Sequence, residues 1–221
     1  LYEKFKKEFN IDKISIATAT MKSNMRRKKI KETGKLLSKY NIAHFPSISE
    51  AQKEIKLLAT ASSILMLNFS GMRINELCNI KTDGFKIVNS NPKLYVLRSY
   101  ETKISGGIIA DYITSPIVKD AFEILKEIHA FASKYDKNIN AKDLFVTSKH
   151  HKLVTYGRAD SIGYHISDFA NNLNLIIDSD DLTESELLNG PREEIKVGNA
   201  WPIASHQFRR TLIVNFVSHR L

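Results

Sequence analysis

The sequence of 221 residues holds a single cysteine, Cys78. That excludes a disulfide scaffold, and a lone thiol fits a reducing, cytoplasmic compartment. Cys78 also has no partners at zinc-ligand spacing. Long apolar runs are missing. The longest fall far short of the roughly 20 residues that a bilayer-spanning helix requires, so a membrane-spanning protein is excluded and hydropathy gives no sign of a membrane partner. No apolar h-region lies near the start, so the secretory signal pattern is absent. The chain opens on Leu1 rather than Met, and it is expected to be a fragment of something longer. There is no Gly-x-x-x-x-Gly-Lys loop, which argues against nucleotide hydrolysis by that route. The Gly-x-Ser-x-Gly turn is absent as well. Asp178-x-Asp180 opens like a calcium loop, but the Gly and Glu that such a loop requires are lacking. His150 and His151 have no neighbouring acids or cysteines and read as loop residues. No internal repeat and no low-complexity tract occur.

What is present is an ordinary apolar fraction, 43% hydrophobic against 26% charged, enough for a sizeable core. The length suits one large domain, or one domain and part of a second. The charge is lopsided. The chain carries +9, from 33 Lys and Arg against 24 Asp and Glu. Residues 1–45 hold 12 of the bases and 4 of the acids, a net of +8. Within that segment Arg26, Arg27, Lys28, Lys29 and Lys31 form a basic run. The asymmetry points to a polyanion partner, nucleic acid first and an anionic membrane second, with a solvated basic helix equally compatible with charge alone.

Pro46 marks a boundary, dividing the chain into 1–45 and 46–221. A strong helix follows. Ser49 and Gln52 have capping-box spacing, and Ile55, Leu58, Ala61, Leu65 and Phe69 recur at helical spacing. Leu57, Ile64, Met66 and Leu67 make it apolar on most sides, as a central buried helix should be. Gly71 is a suitable stop. A short helix at about 74–80 ends in the Asp83-Gly84 turn. Segments 85–88, 93–99 and 107–114 read as three strands of a small antiparallel sheet. Ser115-Pro116 opens a further helix, with Ile117, Ala121, Ile124, Ile128, Phe131 and Tyr135 expected inward. Residues 144–147 form a short apolar piece. Another helix covers about 158–174, with Ile162, Ile166, Phe169 and Leu173 inward. Residues 178–194 contain seven acids and one Arg and read as a solvated loop or insertion. A last helix runs from about 205 to the end. The fold class is mostly α, formally α+β, with helices around one three-stranded antiparallel sheet.

Three basic constellations carry chemistry. In Gly71-Met72-Arg73-Ile74-Asn75-Glu76-Leu77, Arg73 opens a short helix directly after a buried one, and Glu76 lies one turn along on the same face. A guanidinium near the core needs such a carboxylate, although an i,i+3 surface pair is the commoner reading of the spacing alone. Thr102-Lys103 sits at the tip of the sheet, where a lysine can reach a substrate and pass a proton, or simply be a solvated turn residue. In His206-Gln207-Phe208-Arg209, His206 and Arg209 share one side of the last helix, while Phe208, Leu212 and Phe216 form a different, apolar side. Arg offers bidentate donation to phosphate oxygens, and His can take or give a proton. A His–Arg pair on a solvated face is as common.

The order and spacing of these three resemble the tyrosine recombinases, the phage-integrase family, over residues 46–221. The resemblance implies that family's catalytic-domain fold and a metal-free, cofactor-free breaking and rejoining of double-stranded DNA through a 3′-phosphotyrosyl intermediate. Arg73 and Arg209 match the two catalytic arginines, Lys103 the hairpin lysine and His206 the catalytic histidine. Glu76 matches a residue that supports the first arginine, and Asp83 a structural acid after the box. Residues 1–45 would be a linker or the end of a core-binding domain, with the 26–31 run contacting DNA. The implied partners are duplex DNA and further protomers in a synaptic tetramer. The implied setting is a bacterial, phage or mobile-element gene. Two departures stand out. Arg210 occupies a place where many members carry His. The family's nucleophilic Tyr lies beyond His-x-x-Arg, whereas all eight tyrosines here precede His206, so no nucleophile is expected within this chain. A non-catalytic DNA-binding relative and a type IB topoisomerase-like enzyme remain alternatives.

Overall fold

A computed structural model describes residues 48–101, 108–135, 139–145, 159–173 and 175–219. Lys103, the basic run at 26–31 and the whole of 1–45 lie outside the described residues. The elements are α1 (Ile48–Ser70), α2 (Ile74–Cys78), β1 (Phe85–Val88), β2 (Leu94–Glu101), β3 (Ile108–Thr114), α3 (Val118–Tyr135), α4 (Ala159–Asn172), α5 (Ser179–Asn189) and α6 (Ser205–His219). The described residues are thus mainly helical, with one antiparallel sheet of order β1-β2-β3, the α+β class expected. Among them no helix is long and apolar enough to cross a membrane.

Helix α1 is central, packing against α3, α4, α6, α2 and β3. It is already helical at Ile48, so Ser49 sits inside the first turn rather than at the cap. Its buried positions are Ala59, Thr60, Ser62, Ser63, Met66 and Leu67, whereas Leu58 and Phe69 stay exposed. Ile55, Ile64 and Leu65 pack against the core as well, as a helix apolar on most sides should, and small residues beside them let neighbouring helices approach closely. The buried hydroxyls stay satisfied within the helix. Ser63 Oγ donates to the Ala59 carbonyl at 2.8 Å, and Thr60 Oγ1 to that of Lys56 at 2.8 Å. In α3 the expected face holds at Ala121 and Ile128 and shifts elsewhere. Val118, Ala121, Phe122, Leu125 and Ala132 are buried, and Ile117 and Ile124 are exposed. The register that wins brings the Phe122 ring to within 5.5 Å of Phe85 in β1, tying the helix to the sheet. In α4, Ile162 and Ile166 are buried as expected, but Leu173 is exposed and Ala170 takes its place.

The sheet alternates with period two. Phe85 pairs with Leu97, and Leu97 with Tyr112; this row faces the core, with Leu97 fully buried. On the outer face Arg98 and Asp111 are cross-strand partners, joined by two hydrogen bonds of 2.7 Å. Residues 139–145 are laced to the turn after α2: Leu144 N–H donates to the Ile80 carbonyl at 3.0 Å, and Lys81 Nζ to Asp143 at 2.6 Å.

Within the acidic stretch, Ser179–Asn189 is helical rather than loop. Asp178 caps α5, accepting from the N–H groups of Asp180 and Asp181, while the Asp181 carboxylate accepts from the Asp178 N–H. Acids in the first turn complement the helix dipole, so the composition that reads as a solvated loop is also a helix start. The arm is rooted by Ile177 N–H to the Asn199 carbonyl and Gly198 N–H to that of Ile177, both 2.9 Å.

Gly71 ends α1 as expected, donating to the Leu67 carbonyl at 3.0 Å. Its φ of +63° and its neighbour explain the residue: a Cβ there would lie 2.9 Å from Leu212 Cδ2 of α6. Gly71→Ala should lower the unfolding free energy by about 2 kcal/mol, combining left-handed strain with a displaced Leu212. Gly163→Ala in α4, whose added carbon would meet only Ile74 Cδ1 at 3.9 Å, should be neutral or stabilising by up to about 1 kcal/mol. Urea unfolding of the two variants checks this, and equal effects would contradict it.

Candidate phosphate-binding site

The site begins at the end of α1. After Gly71 turns the chain, buried Met72 anchors it, and Arg73 takes an extended conformation as the N-cap of α2, with φ −80° and ψ 155°. Helix starts leave N–H groups without partners, and here Glu76 closes the first turn. Its Oε2 accepts the Arg73 backbone N–H at 2.6 Å, and its Oε1 accepts from the Arg73 guanidinium at 2.8 Å. The Glu76 side chain is 0% exposed, the Arg73 side chain 37%. The pair is therefore no surface ion pair. The carboxylate is wholly inside, and the guanidinium reaches from it towards solvent.

A buried carboxylate is unfavourable unless it is paired and fully hydrogen-bonded. Burial pushes the Glu76 pKa up, but the Arg73 N–H, the Arg73 guanidinium and the Tyr112 hydroxyl together outweigh it and hold the group below its ordinary value. The backbone is tied down as well: Ser99 Oγ of β2 donates a short hydrogen bond to the Glu76 carbonyl. Ser99 and Tyr112 were not legible as site residues. Their one signal is a polar side chain on the inward face of an alternating strand.

The second half of the site is the start of α6. Gln207 braces it, its Oε1 accepting from the Ala204 N–H at 3.0 Å. Phe208 packs against the core, as its apolar side requires, but Phe216 further along is exposed. His206 is exposed and Arg209 half-buried. Arg209 and Leu212 are i,i+3 neighbours on one face, and Leu212 is the residue packed on Gly71. Helix α6 thus reaches the turn that precedes Arg73 through Leu212, although some 135 residues separate the two motifs. Asp83 lies exposed before β1, where its charge acts on Arg98 of the outer sheet face. Lys103, between β2 and β3, is outside the described residues. No group of three or more His, Cys, Asp or Glu among the described residues is placed to hold a metal ion.

Two solved structures are similar to this chain at low identity. One is XerH site-specific recombinase bound to difH substrate, a pre-cleavage complex, with 17% identity, a TM-score of 0.45, and coverage of 76% of this chain and 41% of that one. The other is XerA recombinase, with 15% identity, a TM-score of 0.40, and coverage of 95% and 69%. The chain thus spans 41% of the length of the first. No protein-family model matches the sequence, and no curated protein does.

Because Glu76 titrates below its usual 4.5 in the folded state, its contribution to stability is complete above about pH 5 and is lost as pH falls through the lowered value. Glu76→Gln should cost about 3 kcal/mol at pH 7, and the gap to wild type should narrow towards pH 3. Urea unfolding at both pH values checks the sign; a gap that widened in acid would contradict it.

Proposed function

We propose that residues 46–221 form an integrase-type catalytic domain of the tyrosine recombinase kind, a DNA strand transferase whose attacking tyrosine comes from outside these 221 residues. The observation that carries this reading is one juxtaposition. Arg73 stands on a buried carboxylate at a turn that Leu212 closes upon, one helical turn from Arg209. Two guanidinium groups on adjoining elements suit the two non-bridging oxygens of one phosphodiester, which bidentate Arg donors match in shape and charge. Residues 1–45, with their net +8, serve as a linker or the end of a core-binding domain, and the 26–31 run tracks the DNA backbone electrostatically.

In the proposed reaction a tyrosyl oxygen forms a bond to phosphorus while the bond from phosphorus to the 5′ oxygen breaks. Negative charge gathers on the non-bridging oxygens. Arg73 and Arg209 stabilise it, each by on the order of 3 kcal/mol. Lys103 gives a proton to the departing 5′ oxygen, and His206 acts in proton transfer at the tyrosine or its phosphate contact. The partners are duplex DNA and further protomers arranged on it.

The rejoining half of this reaction needs no tyrosine from the protein, so it tests the reading on the chain itself. The substrate is a pool of nicked duplexes, randomised around the nick, with a 3′ p-nitrophenyl phosphate ester facing a 5′ hydroxyl. The 5′ oxygen attacks phosphorus, its proton passes to Lys103, and p-nitrophenolate leaves. Sealed strand and nitrophenolate should form in equal amounts. Arg73→Ala or Arg209→Ala should each slow sealing by about 100-fold or more. No sealing, or sealing indifferent to both arginines, would overturn the proposal.

A further inference from the structure

Helix α2 is too short to hold itself in place. Its five residues give little more than one turn, far below the length at which a helix persists alone. Its end is closed by the Asn79 N–H on the Glu76 carbonyl at 3.1 Å and the Ile80 N–H on that of Leu77 at 3.2 Å, bonds of the tighter, poorer three-residue kind. Yet α2 carries Glu76, and Glu76 holds Arg73. The sheet supplies a firmer hold. Ser99 of β2 is 1% exposed, opposite Ala110 and on the same inward face as Leu97. Its Oγ donates to the Glu76 carbonyl. Glu76 is therefore fixed at both ends. Its Oε2 accepts the Arg73 N–H at 2.6 Å and its Oε1 accepts from Arg73 Nη1 at 2.8 Å, which ties Arg73 to Glu76. The Ser99 bond ties Glu76 in turn to β2.

We infer that Ser99 is a positioning residue: by fixing the Glu76 backbone to β2, it sets where the Glu76 carboxylate stands and so where the Arg73 guanidinium points. The functional consequence rests on the reading of Arg73 as a phosphate clamp; the orientation itself does not. Ser99 is buried and acts through Glu76. Its hydroxyl is not needed to satisfy the Glu76 carbonyl, which keeps the Asn79 N–H without it. Removing the hydroxyl therefore orphans no buried acceptor, and the fold escapes the large penalty of an unsatisfied polar group. What is lost is the link between α2 and β2. The Arg73 guanidinium, 37% exposed on a long side chain, then regains rotamer freedom that it must lose again to bind an anion. Stability and aim thus respond differently to the same change.

The test uses arginine-labelled NMR of the intact chain, with Arg73→Lys identifying the Arg73 side-chain signals. Rotation about the Nε–Cζ bond swaps Nη1 and Nη2, and the bond from Nη1 to a buried carboxylate oxygen resists it. Wild type should show two slowly exchanging Nη signals. In Ser99→Ala the swap should quicken by about threefold or more, within the range seen for partners in one hydrogen-bonded network. Val96→Ala is the control. Val96 is buried on the opposite face of β2, so its truncation weakens the packing of the same strand from the side away from Glu76. It should leave the swap as in wild type. A single averaged signal in wild type, an unchanged swap in Ser99→Ala, or equal quickening by Val96→Ala overturns the proposal. So does failure of Ser99→Ala to fold, which would make the hydroxyl a structural group and no more. A second readout separates this inference from the functional one. In the sealing assay, an effect of Arg73→Ala without any effect of Ser99→Ala sinks only the positioning role. Slowed sealing by both, with Ser99→Ala restored by no change in substrate concentration, supports it. Indifference to Arg73→Ala alongside a quickened swap in Ser99→Ala sinks the functional reading and leaves the orientation of Arg73 by Ser99 standing.

Discussion

The structure depends on a carboxylate that water cannot reach. Glu76 is entirely inside, so its charge is tolerable only because the Arg73 N–H and guanidinium are turned towards it. That requirement fixes the local geometry: Arg73 starts α2, its guanidinium leans back on Oε1, and Ser99 of β2 holds the Glu76 carbonyl. A surface pair at the same spacing would contribute little and constrain little. Burial converts an ordinary i,i+3 pair into an anchor for a cation that still faces outward.

The second constraint is steric. Helix α6 packs closely on the turn before Arg73, over a residue with no side chain: a Cβ at position 71 would lie 2.9 Å from Leu212 Cδ2 and displace it. One glycine therefore does two things. It ends α1 in a left-handed conformation, and it lets two distant stretches of sequence meet. Electrostatics holds Arg73 in place, and close packing brings the Arg209 helix to it.

Much of this was legible in the sequence. Periodicity and turn residues gave the helices at 48–70 and 159–172 and all three strands, because those signals are local. The Arg73–Glu76 spacing marked the pair, but not its burial, which depends on strands that arrive later in the chain. The inward faces of α1 and α3 match expectation only in part, since several apolar stripes compete and only the neighbouring elements choose between them. Helix α5 was hidden by its own charge. Asp178 and Asp181 form a cap, yet their composition is also that of a solvated loop. Ser99 and Tyr112 were out of reach because a polar residue on a strand says nothing of what lies above it.

The central claim is that Arg73 and Arg209 clamp one phosphate. A crystal structure of the chain with a short duplex DNA tests it most directly. The account predicts a single backbone phosphate with its two non-bridging oxygens each about 3 Å from a guanidinium nitrogen, one from Arg73 and one from Arg209, while Glu76 keeps its bond to Arg73. DNA seated elsewhere, or the two arginines on separate phosphates, would contradict it.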